Sequence, residues 1–363
     1  EKNILSLFTD CIFAFPKDSK QIYGIHLILH TLHFVFLLFF TEQKCFCIIF
    51  ANNYPRDSFM ADFNLNILGC GSALPTTRHL ATSQVVDLRD KLYMIDCGEG
   101  TQVQMRHMRI KFSRLNHIFI SHLHGDHCFG LPGLISTLGM LGRTGELVIH
   151  APKEIENYMR PVLDTFCKGM PYEVRFNPVD TRSHSLIMED RSLSVYSIPL
   201  KHRIPTCGFL FAEKPKEAHI IREMTDFYQV PVRCMKDIKL GEDYVTPEGE
   251  VIPNSRLTRP AAPPKRYAYC SDTAYNPSVI PIIEGVDLLY HEATFAECDK
   301  ARAKETFHST ARQAADIALK AGVKRLVIGH YSARYEDLAT LHREAEEVYP
   351  GTILGAEGMV LPI

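Results

Sequence analysis

Paired cysteines are missing from this sequence. None of its eleven cysteines forms a C-x-x-C pair, which argues against a cysteine-ligated zinc finger or a redox dithiol. Unpaired cysteines are typical of reduced thiols buried as small apolar side chains, so we expect a cytoplasmic protein. An excess of positive charge is missing too, because the formal net charge is −2. This charge disfavours a generally basic nucleic-acid binder but leaves room for one basic face.

The first 59 residues differ in composition from the rest of the chain. Residues 22–40 form a nearly continuous apolar stretch, long enough to span a bilayer, that three histidines interrupt. One interpretation is a membrane anchor or signal sequence, and the other is translation upstream of a true start at Met60. Because the flanks fit a targeting signal poorly, we favour the second interpretation. We predict that residues 1–59 lie outside the fold, with no membrane partner unless residues 22–40 are genuinely expressed.

From Met60 onward, strand and helix patterns occur in two successive groups. An alternating, half-buried strand is predicted at 64–71 and another strand at 117–121, and helices are predicted at 310–321 and 335–348. Two such groups predict an α/β fold in which two sheets pack face to face with helices outside, a four-layer αββα sandwich. The intervening segment of about 213–264 is rich in Lys, Arg, Glu and Pro and fits neither sheet, so we predict that it projects from the body.

The most informative feature is the run from Ser121 to His127, which follows a predicted strand. It places three imidazoles and a carboxylate close together, a donor mixture that zinc and similar divalent metals prefer. Three further His or Asp residues end other predicted strands, and together they predict the two-metal centre of a hydrolase. The seven candidate ligands are His122, His124, Asp126, His127, His202, Asp272 and His330.

Several segments in the same order resemble motifs of the metallo-β-lactamase superfamily, and within it of the short form of tRNase Z, which trims tRNA 3′ ends. The resemblance covers about residues 62–363. Its motifs are DCGEGTQ at 96–102, GLPGL at 130–134, HEATF at 291–295, HST at 308–310 and GHYSARY at 329–335. It implies a metallo-β-lactamase sandwich whose substrate is precursor tRNA, cut after the discriminator nucleotide to leave a 3′-hydroxyl and a trailer with a 5′-phosphate.

The same resemblance assigns roles to individual residues. One zinc ion would be held by His122, His124, His202 and Asp272, and the other by Asp126, His127, His330 and the bridging Asp272; manganese or another divalent ion is also possible. Asp126 would orient the attacking water or accept its proton. His308, before a helix with Ser309 as its expected N-cap, would donate a proton to the leaving 3′ oxygen, unless it makes only a structural hydrogen bond. Asp96 and Glu292 are expected to support loops and ligands.

The projecting segment corresponds by position to the flexible tRNA-binding arm of the family, which we place at about 213–240. Lys214, Lys216, Arg222, Arg233, Lys236 and Lys239 offer phosphate contacts there, although nearby acids nearly balance them. Short relatives act as homodimers, so we expect a homodimer. Two alternatives remain open: a small-molecule phosphodiesterase or other hydrolase of the same fold, and a metal-binding scaffold without catalysis.

Overall fold

Two seven-stranded sheets form the core of the chain from residue 62 onward. The computed structural model describes residues 62–74 and 76–363, together with the backbone of two short strands, Ile28–His30 and His33–Val35, which pair antiparallel. The predictions for the remainder of residues 1–59 lie outside the described residues. Contacts divide the chain into two units, Glu1–Met60 and Ala61–Ile363. No helix within the described ranges has the length and apolar character needed to cross a membrane.

The first sheet combines an antiparallel half with a parallel half. In the antiparallel half, a tight turn joins Ser83–Leu88 to Lys91–Ile95, and the C-terminal strand Val360–Pro362 pairs with Phe63–Gly69 from the other end of the chain. Helices connect the parallel strands, because parallel pairing requires a crossover. Its strands, in spatial order, are Val360–Pro362, Phe63–Gly69, Ser83–Leu88, Lys91–Ile95, Leu115–Phe119, Leu147–Ala151 and Val174–Pro178. The helices that follow its strands are Thr101–His107, Gly125–Cys128, Leu131–Met140 and Ile155–Phe166.

The second sheet repeats this plan later in the chain. Its strands, in spatial order, are Ile353–Leu354, Leu326–Gly329, Leu288–Glu292, Arg266–Cys270, Cys207–Glu213, Leu193–Pro199 and Leu186–Glu189. The first four run parallel and the last four run antiparallel, with Arg266–Cys270 belonging to both groups. Its helices are Ile280–Ile283, Lys300–Thr306, Ala311–Ala321 and Ala339–Glu346.

Apolar side chains fill the space between the sheets and under both helical layers. Phe119 of the first sheet contacts Phe209 and Phe211 of the second, with ring centroids 5.4 Å apart in both pairs. Small side chains on one face of the helix Ala311–Ala321 pack against the second sheet. The helices that follow strands of the first sheet cover the face of the first sheet that points away from the second sheet. The observed layers are therefore helix, sheet, sheet and helix, in the predicted order.

Four local predictions need correction. The strand expected to be half-buried at 64–71 is observed at Phe63–Gly69 and is buried on both faces, because it lies inside a sheet that is covered on each side. The strand expected at 117–121 is Leu115–Phe119, so its polar end extends beyond the sheet. The helix expected at 335–348 is only Ala339–Glu346. Thr310, not Ser309, is the N-cap of the following helix, where it forms a capping box with Gln313.

The segment between the strands Cys207–Glu213 and Arg266–Cys270 folds into a small unit with its own core. Its core side chains are Val230, Ile238, Tyr244, Ile252 and Leu257. Short elements build it: His219–Ile220, Arg222–Phe227, Met235–Lys239, Tyr244–Val245, Val251–Ile252, Asn254–Leu257 and Thr258–Arg259. The two ends of this insertion meet, since the Glu213 N–H donates to the Lys265 carbonyl at 2.9 Å.

Candidate metal centre

The seven candidate ligands meet where strands of both sheets end. His122 and His124 follow the strand Leu115–Phe119, with His124 in extended backbone, and Asp126 and His127 lie on the single helical turn that Gly125 begins. His202, Asp272 and His330 follow three strands of the second sheet. Carboxyl ends of parallel strands share one sheet edge, which explains why residues so distant in sequence converge.

One set of donor atoms comes from three histidines and one carboxylate. The Nε2 atom of His122 lies 2.9 Å from His124 Nδ1, which lies 3.3 Å from His202 Nε2. Asp272 Oδ2 lies 3.5 Å from His122 Nε2 and 3.8 Å from His202 Nε2. These four side chains form a group of the size and composition that holds a divalent cation.

A second set lies on the other side of Asp272. Asp272 Oδ1 is 3.1 Å from His330 Nε2 and 3.4 Å from His127 Nε2. Asp126 Oδ2 approaches the same two nitrogens at 3.6 and 3.5 Å. Each carboxylate oxygen of Asp272 therefore faces a different donor set, which is the geometry of a bridging ligand.

The chemistry of these donors fits a pair of divalent metal ions. The Nε2 atoms of His127 and His330 are buried without a hydrogen-bond partner, and a buried polar atom without a partner carries a substantial desolvation cost. A cation between these nitrogens and the Asp272 and Asp126 oxygens would satisfy both. Among the described residues, the seven predicted ligands thus form two adjoining groups.

The outward-facing ring nitrogens are fixed by neighbouring groups. His122 Nδ1 lies 3.0 Å from Ser121 Oγ, His127 Nδ1 lies 2.8 Å from Asp96 Oδ2, and His330 Nδ1 lies 2.9 Å from Thr294 Oγ1. The His202 Nδ1 atom lies 2.9 Å from the Phe307 carbonyl oxygen. Such contacts orient the imidazoles and keep the opposite lone pair directed at the centre.

Asp96 and Glu292 hold the centre without belonging to either donor set. Asp96 is fully buried and accepts hydrogen bonds from the Ser121 N–H, the Ser121 hydroxyl and the Tyr269 hydroxyl, besides contacting His127. Glu292, also fully buried, accepts from the backbone N–H groups of Thr273, Thr294 and Ser309. Each carboxylate therefore ties together the loops that carry ligands.

The electrostatics of the centre favour ionised carboxylates and a cation between them. Burial lowers the pKa of His124 and His202 to about 4, so both rings are neutral near pH 7. Burial raises the pKa of Asp272, but His330, His127 and His122 hold it well below its ordinary value. Burial lowers the pKa of His127, yet Asp126, Asp272 and Asp96 raise it far above its ordinary value. Three carboxylates around one ring are a concentration of negative charge that a cation neutralises.

His308 lies beside the donor sets, at the wall of the cavity that leads to them. Its Nδ1 atom lies 3.0 Å from Glu292 Oε1, and its ring stacks 5.5 Å from the ring of His330. Burial lowers the pKa of His308, but the Glu292 carboxylate raises it to about 9. The Ser309 hydroxyl donates to the Thr273 carbonyl at 2.8 Å, a contact that replaces its expected capping role.

An open cavity of about 530 Å³ leads to the centre. Asp126, Asp272, His308 and His330 line it. The predicted ligand His124 and Glu99 of the DCGEGTQ motif also line it, whereas the sequence analysis assigned no role to Phe129 and Arg203. Phe129 is 62% exposed despite its size, and Arg203 directly follows a ligand in sequence. Their closeness in sequence to predicted ligands is the signal that could have identified both.

Comparisons with known proteins agree with this geometry. A family model described as "Anti-Pycsar protein Apyc1" matches residues 63–159, and one described as "Beta-lactamase superfamily domain" matches residues 256–331. A protein named Ribonuclease Z from Parabacteroides distasonis is 84% identical over 304 residues, which cover 84% of this chain and 100% of that protein. A Ribonuclease Z from Bacteroides fragilis is 65% identical over the same shares of both chains.

Solved structures show the same fold. The crystal structure of human tRNase Z, short form, has a TM-score of 0.60 and 26% identity, and the match covers 83% of this chain and 100% of that one. A long-form RNase Z from yeast has a TM-score of 0.60 at 17% identity, covering 83% of this chain and 42% of the yeast chain, which shows likeness of fold alone. These similarities confirm the predicted metallo-β-lactamase sandwich.

Proposed function

This chain belongs to the ribonuclease Z family, and we propose that it removes the 3′ trailer of precursor tRNA at the centre described above. It is a hydrolase, and specifically a tRNA 3′-processing endoribonuclease, that uses divalent metal. We place the cut after the discriminator nucleotide, leaving a 3′-hydroxyl on tRNA and a 5′-phosphate on the trailer. The small-molecule hydrolase weighed above is not favoured, because the ribonuclease Z relatives match over their full length.

The position of Asp272 is the observation that carries the two-metal form of the proposal. Its Oδ2 faces His122 and His202, whereas its Oδ1 faces His127 and His330. Imidazole and carboxylate donors suit two Zn²⁺ ions per subunit, although Mn²⁺ or another divalent ion also accepts them. When bound, such a pair supplies an activated water and positive charge for the phosphate oxygens.

Asp126 and His308 are the side chains that we propose for moving protons. The backbone N–H of Ala73 donates to Asp126 Oδ2 at 2.7 Å and fixes the carboxylate at the cavity wall, where it can orient the attacking water and accept its proton. Glu292 contacts His308 Nδ1, which leaves the other ring nitrogen for the cavity. A carboxylate in this position stabilises the doubly protonated ring, which can then protonate the leaving 3′ oxygen.

The inserted unit is our candidate for the tRNA-binding arm. The arm predicted from the sequence, 213–240, covers the first half of this unit. The core of the unit includes side chains from both sides of residue 240, so we propose that the whole inserted unit acts as the arm. Four of its six expected phosphate-binding cations have acidic partners: Lys214, Lys216, Arg222 and Lys239. The side chains of Arg233 and Lys236 are exposed and have no ion pair within the described part of the chain. They are the phosphate contacts that we favour.

A homodimer is supported by apolar side chains on neighbouring helices that cover the first sheet. Three helices, Thr101–His107, Leu131–Met140 and Ile155–Phe166, pack successively against one another. The exposed apolar side chains on or next to them are Val103, Met140, Leu141, Tyr158 and Phe166. A contiguous exposed apolar patch marks an interface, so we propose this layer of helices as the contact between subunits, and sedimentation velocity would report the stoichiometry. The eight described cysteines are all free, which supports a reducing cytoplasmic location.

The decisive experiment is cleavage of a 3′-extended precursor tRNA without CCA by the metal-loaded protein, with both product ends mapped to the nucleotide. We expect one cut after the discriminator and none with Asp272→Ala, because that change removes the carboxylate shared by both donor sets. Metal content measured by mass spectrometry should fall in the same variant. Asp164→Ala, which changes an exposed carboxylate outside the centre, is the matched control and should cleave normally. A folded, metal-loaded protein that leaves the precursor intact would reject the proposal.

A further inference from the structure

A second groove adjoins the metal cavity, and we propose that it binds the single-stranded 3′ trailer of the precursor. The inference rests on the function proposed above and specifies which part of the substrate this surface holds. The groove has a volume of about 420 Å³ and lies between the loop containing Arg182 and the loop from Pro199 to Thr206. That second loop also carries the candidate ligand His202.

The two concave surfaces share one lining side chain. Arg203 lines the metal cavity together with Asp272 and His308, and it also lines the groove together with Arg182 and His202. On this proposal, a strand whose scissile phosphate lies at the metal centre reaches the groove at Arg203.

The groove presents two guanidinium groups, and that of Arg182 lies near enough to Asp180 to interact with its charge but forms no salt bridge with it. Arg182 and Arg203 are exposed, and neither guanidinium has a salt bridge or hydrogen bond within residues 62–74 and 76–363. Asp180, the acid next to Arg182, already accepts hydrogen bonds from the Ser183 hydroxyl at 2.7 Å and the Arg182 backbone N–H at 3.0 Å. Arg175 of the strand Val174–Pro178 is instead paired with Glu146 at 2.8 Å. Free guanidinium groups in a groove are suited to the phosphates of a passing strand.

The dimensions of the groove select the trailer over the acceptor stem. A base-paired stem cannot enter a concavity of about 420 Å³, so the occupant is single-stranded. On the tRNA side of the cut, the discriminator is the single unpaired nucleotide before the stem begins, and the metal cavity of about 530 Å³ accommodates it. A strand that continues unpaired beyond the cavity must therefore lie on the 3′ side of the scissile phosphate.

The test compares two precursors that share one tRNA body and differ in the trailer, which has either a single nucleotide or several. We expect the wild-type protein to have a lower KM for the longer trailer. Arg182→Gln and Arg203→Gln should each reduce the long-to-short ratio of kcat/KM roughly tenfold, the effect of losing one charge-assisted phosphate contact. The loss should appear in KM, and the double variant should also show a salt dependence of binding that is weaker by about 1.4 in logarithmic slope.

Arg191→Gln is the matched control. Arg191 is exposed and lies in the turn before the strand Leu193–Pro199, at the end opposite the groove loop, so its replacement should leave the ratio unchanged. A ratio that stays the same in the Arg182 and Arg203 variants would refute the assignment, as would equal losses for both precursors, which would indicate contacts with the tRNA body. Failure of the wild-type protein to cut either precursor would instead reject the proposed function.

Discussion

Asp96→Asn tests whether the centre depends on groups that do not bind metal themselves. The Asp96 carboxylate is fully buried, with its Oδ2 atom 2.8 Å from His127 Nδ1, 2.9 Å from Ser121 Oγ and 2.7 Å from the Tyr269 hydroxyl. While this oxygen accepts the proton on His127 Nδ1, the lone pair of Nε2 remains available to a cation. Asparagine has nearly the same shape but one acceptor oxygen instead of two.

Either orientation of the new amide causes a conflict. If its oxygen takes the place of Oδ1 and accepts from the Ser121 N–H, its NH₂ group faces His127 Nδ1 and favours the tautomer whose Nε2 carries hydrogen. If the amide is reversed, its NH₂ group opposes the Ser121 N–H. Loss of such an orienting partner weakens metal affinity by roughly 10- to 100-fold, about 1.4–2.8 kcal/mol. We expect the weakening to fall mainly on the set formed by Asp126, His127 and His330.

The assay is a zinc titration of metal-free protein against a chromophoric chelator, with circular dichroism to verify folding. Tyr269→Phe is the control, because it removes one donor to the same oxygen but leaves the His127 contact intact, and we expect less than a threefold change. Folded Asp96→Asn protein with unaltered zinc affinity would show that the contact between Asp96 and His127 does not set the tautomer.

Two further predictions concern the inserted unit and the stability of the first sheet. Residues 214–264 can be replaced by an Asn-Gly turn, because Glu213 and Lys265 are adjacent. This replacement should weaken precursor binding in a filter assay but leave hydrolysis of bis(p-nitrophenyl) phosphate unchanged. Equal losses of both activities would contradict the role of the inserted unit as a tRNA-binding arm. Burial lowers the pKa of His150 from 6.5 to about 3, so the unfolded state binds its proton first as the pH falls, and stability decreases by about 1.4 kcal/mol per pH unit below 6.5. When the pH falls from 7.5 to 5.5, the free energy of unfolding of His150→Asn, measured by urea denaturation, should decrease by about 1.4 kcal/mol less than that of the wild-type protein. An identical pH dependence in both proteins would contradict the lowered pKa of His150.

The sequence predicted the architecture because periodicity and strand-end residues are local signals. Alternating and helical patterns identified both strand–helix groups, and the polar residues after them identified all seven members of the donor sets. Element ends were less accurate: Thr310 rather than Ser309 caps its helix because the capping box with Gln313 involves backbone that the pattern alone does not specify. Burial of Phe63–Gly69 on both faces likewise follows from its neighbours in the sheet and not from its own alternation.

The supporting contacts depend on backbone conformations that composition does not reveal. Asp96, Phe307 and His330 have φ values of 55°, 60° and 62°, in the left-handed region that non-glycine residues adopt at a cost of order 1–3 kcal/mol. Glycine would relieve the strain at all three positions, but it would remove the Asp96 carboxylate and the His330 imidazole. At Phe307 the backbone itself is used, because its carbonyl oxygen lies 2.9 Å from His202 Nδ1. The strained backbone at these positions directs side chains or carbonyl oxygens at the centre, where relaxed backbone would not place them. We therefore expect the packing of the two sheets to offset the cost of this strain.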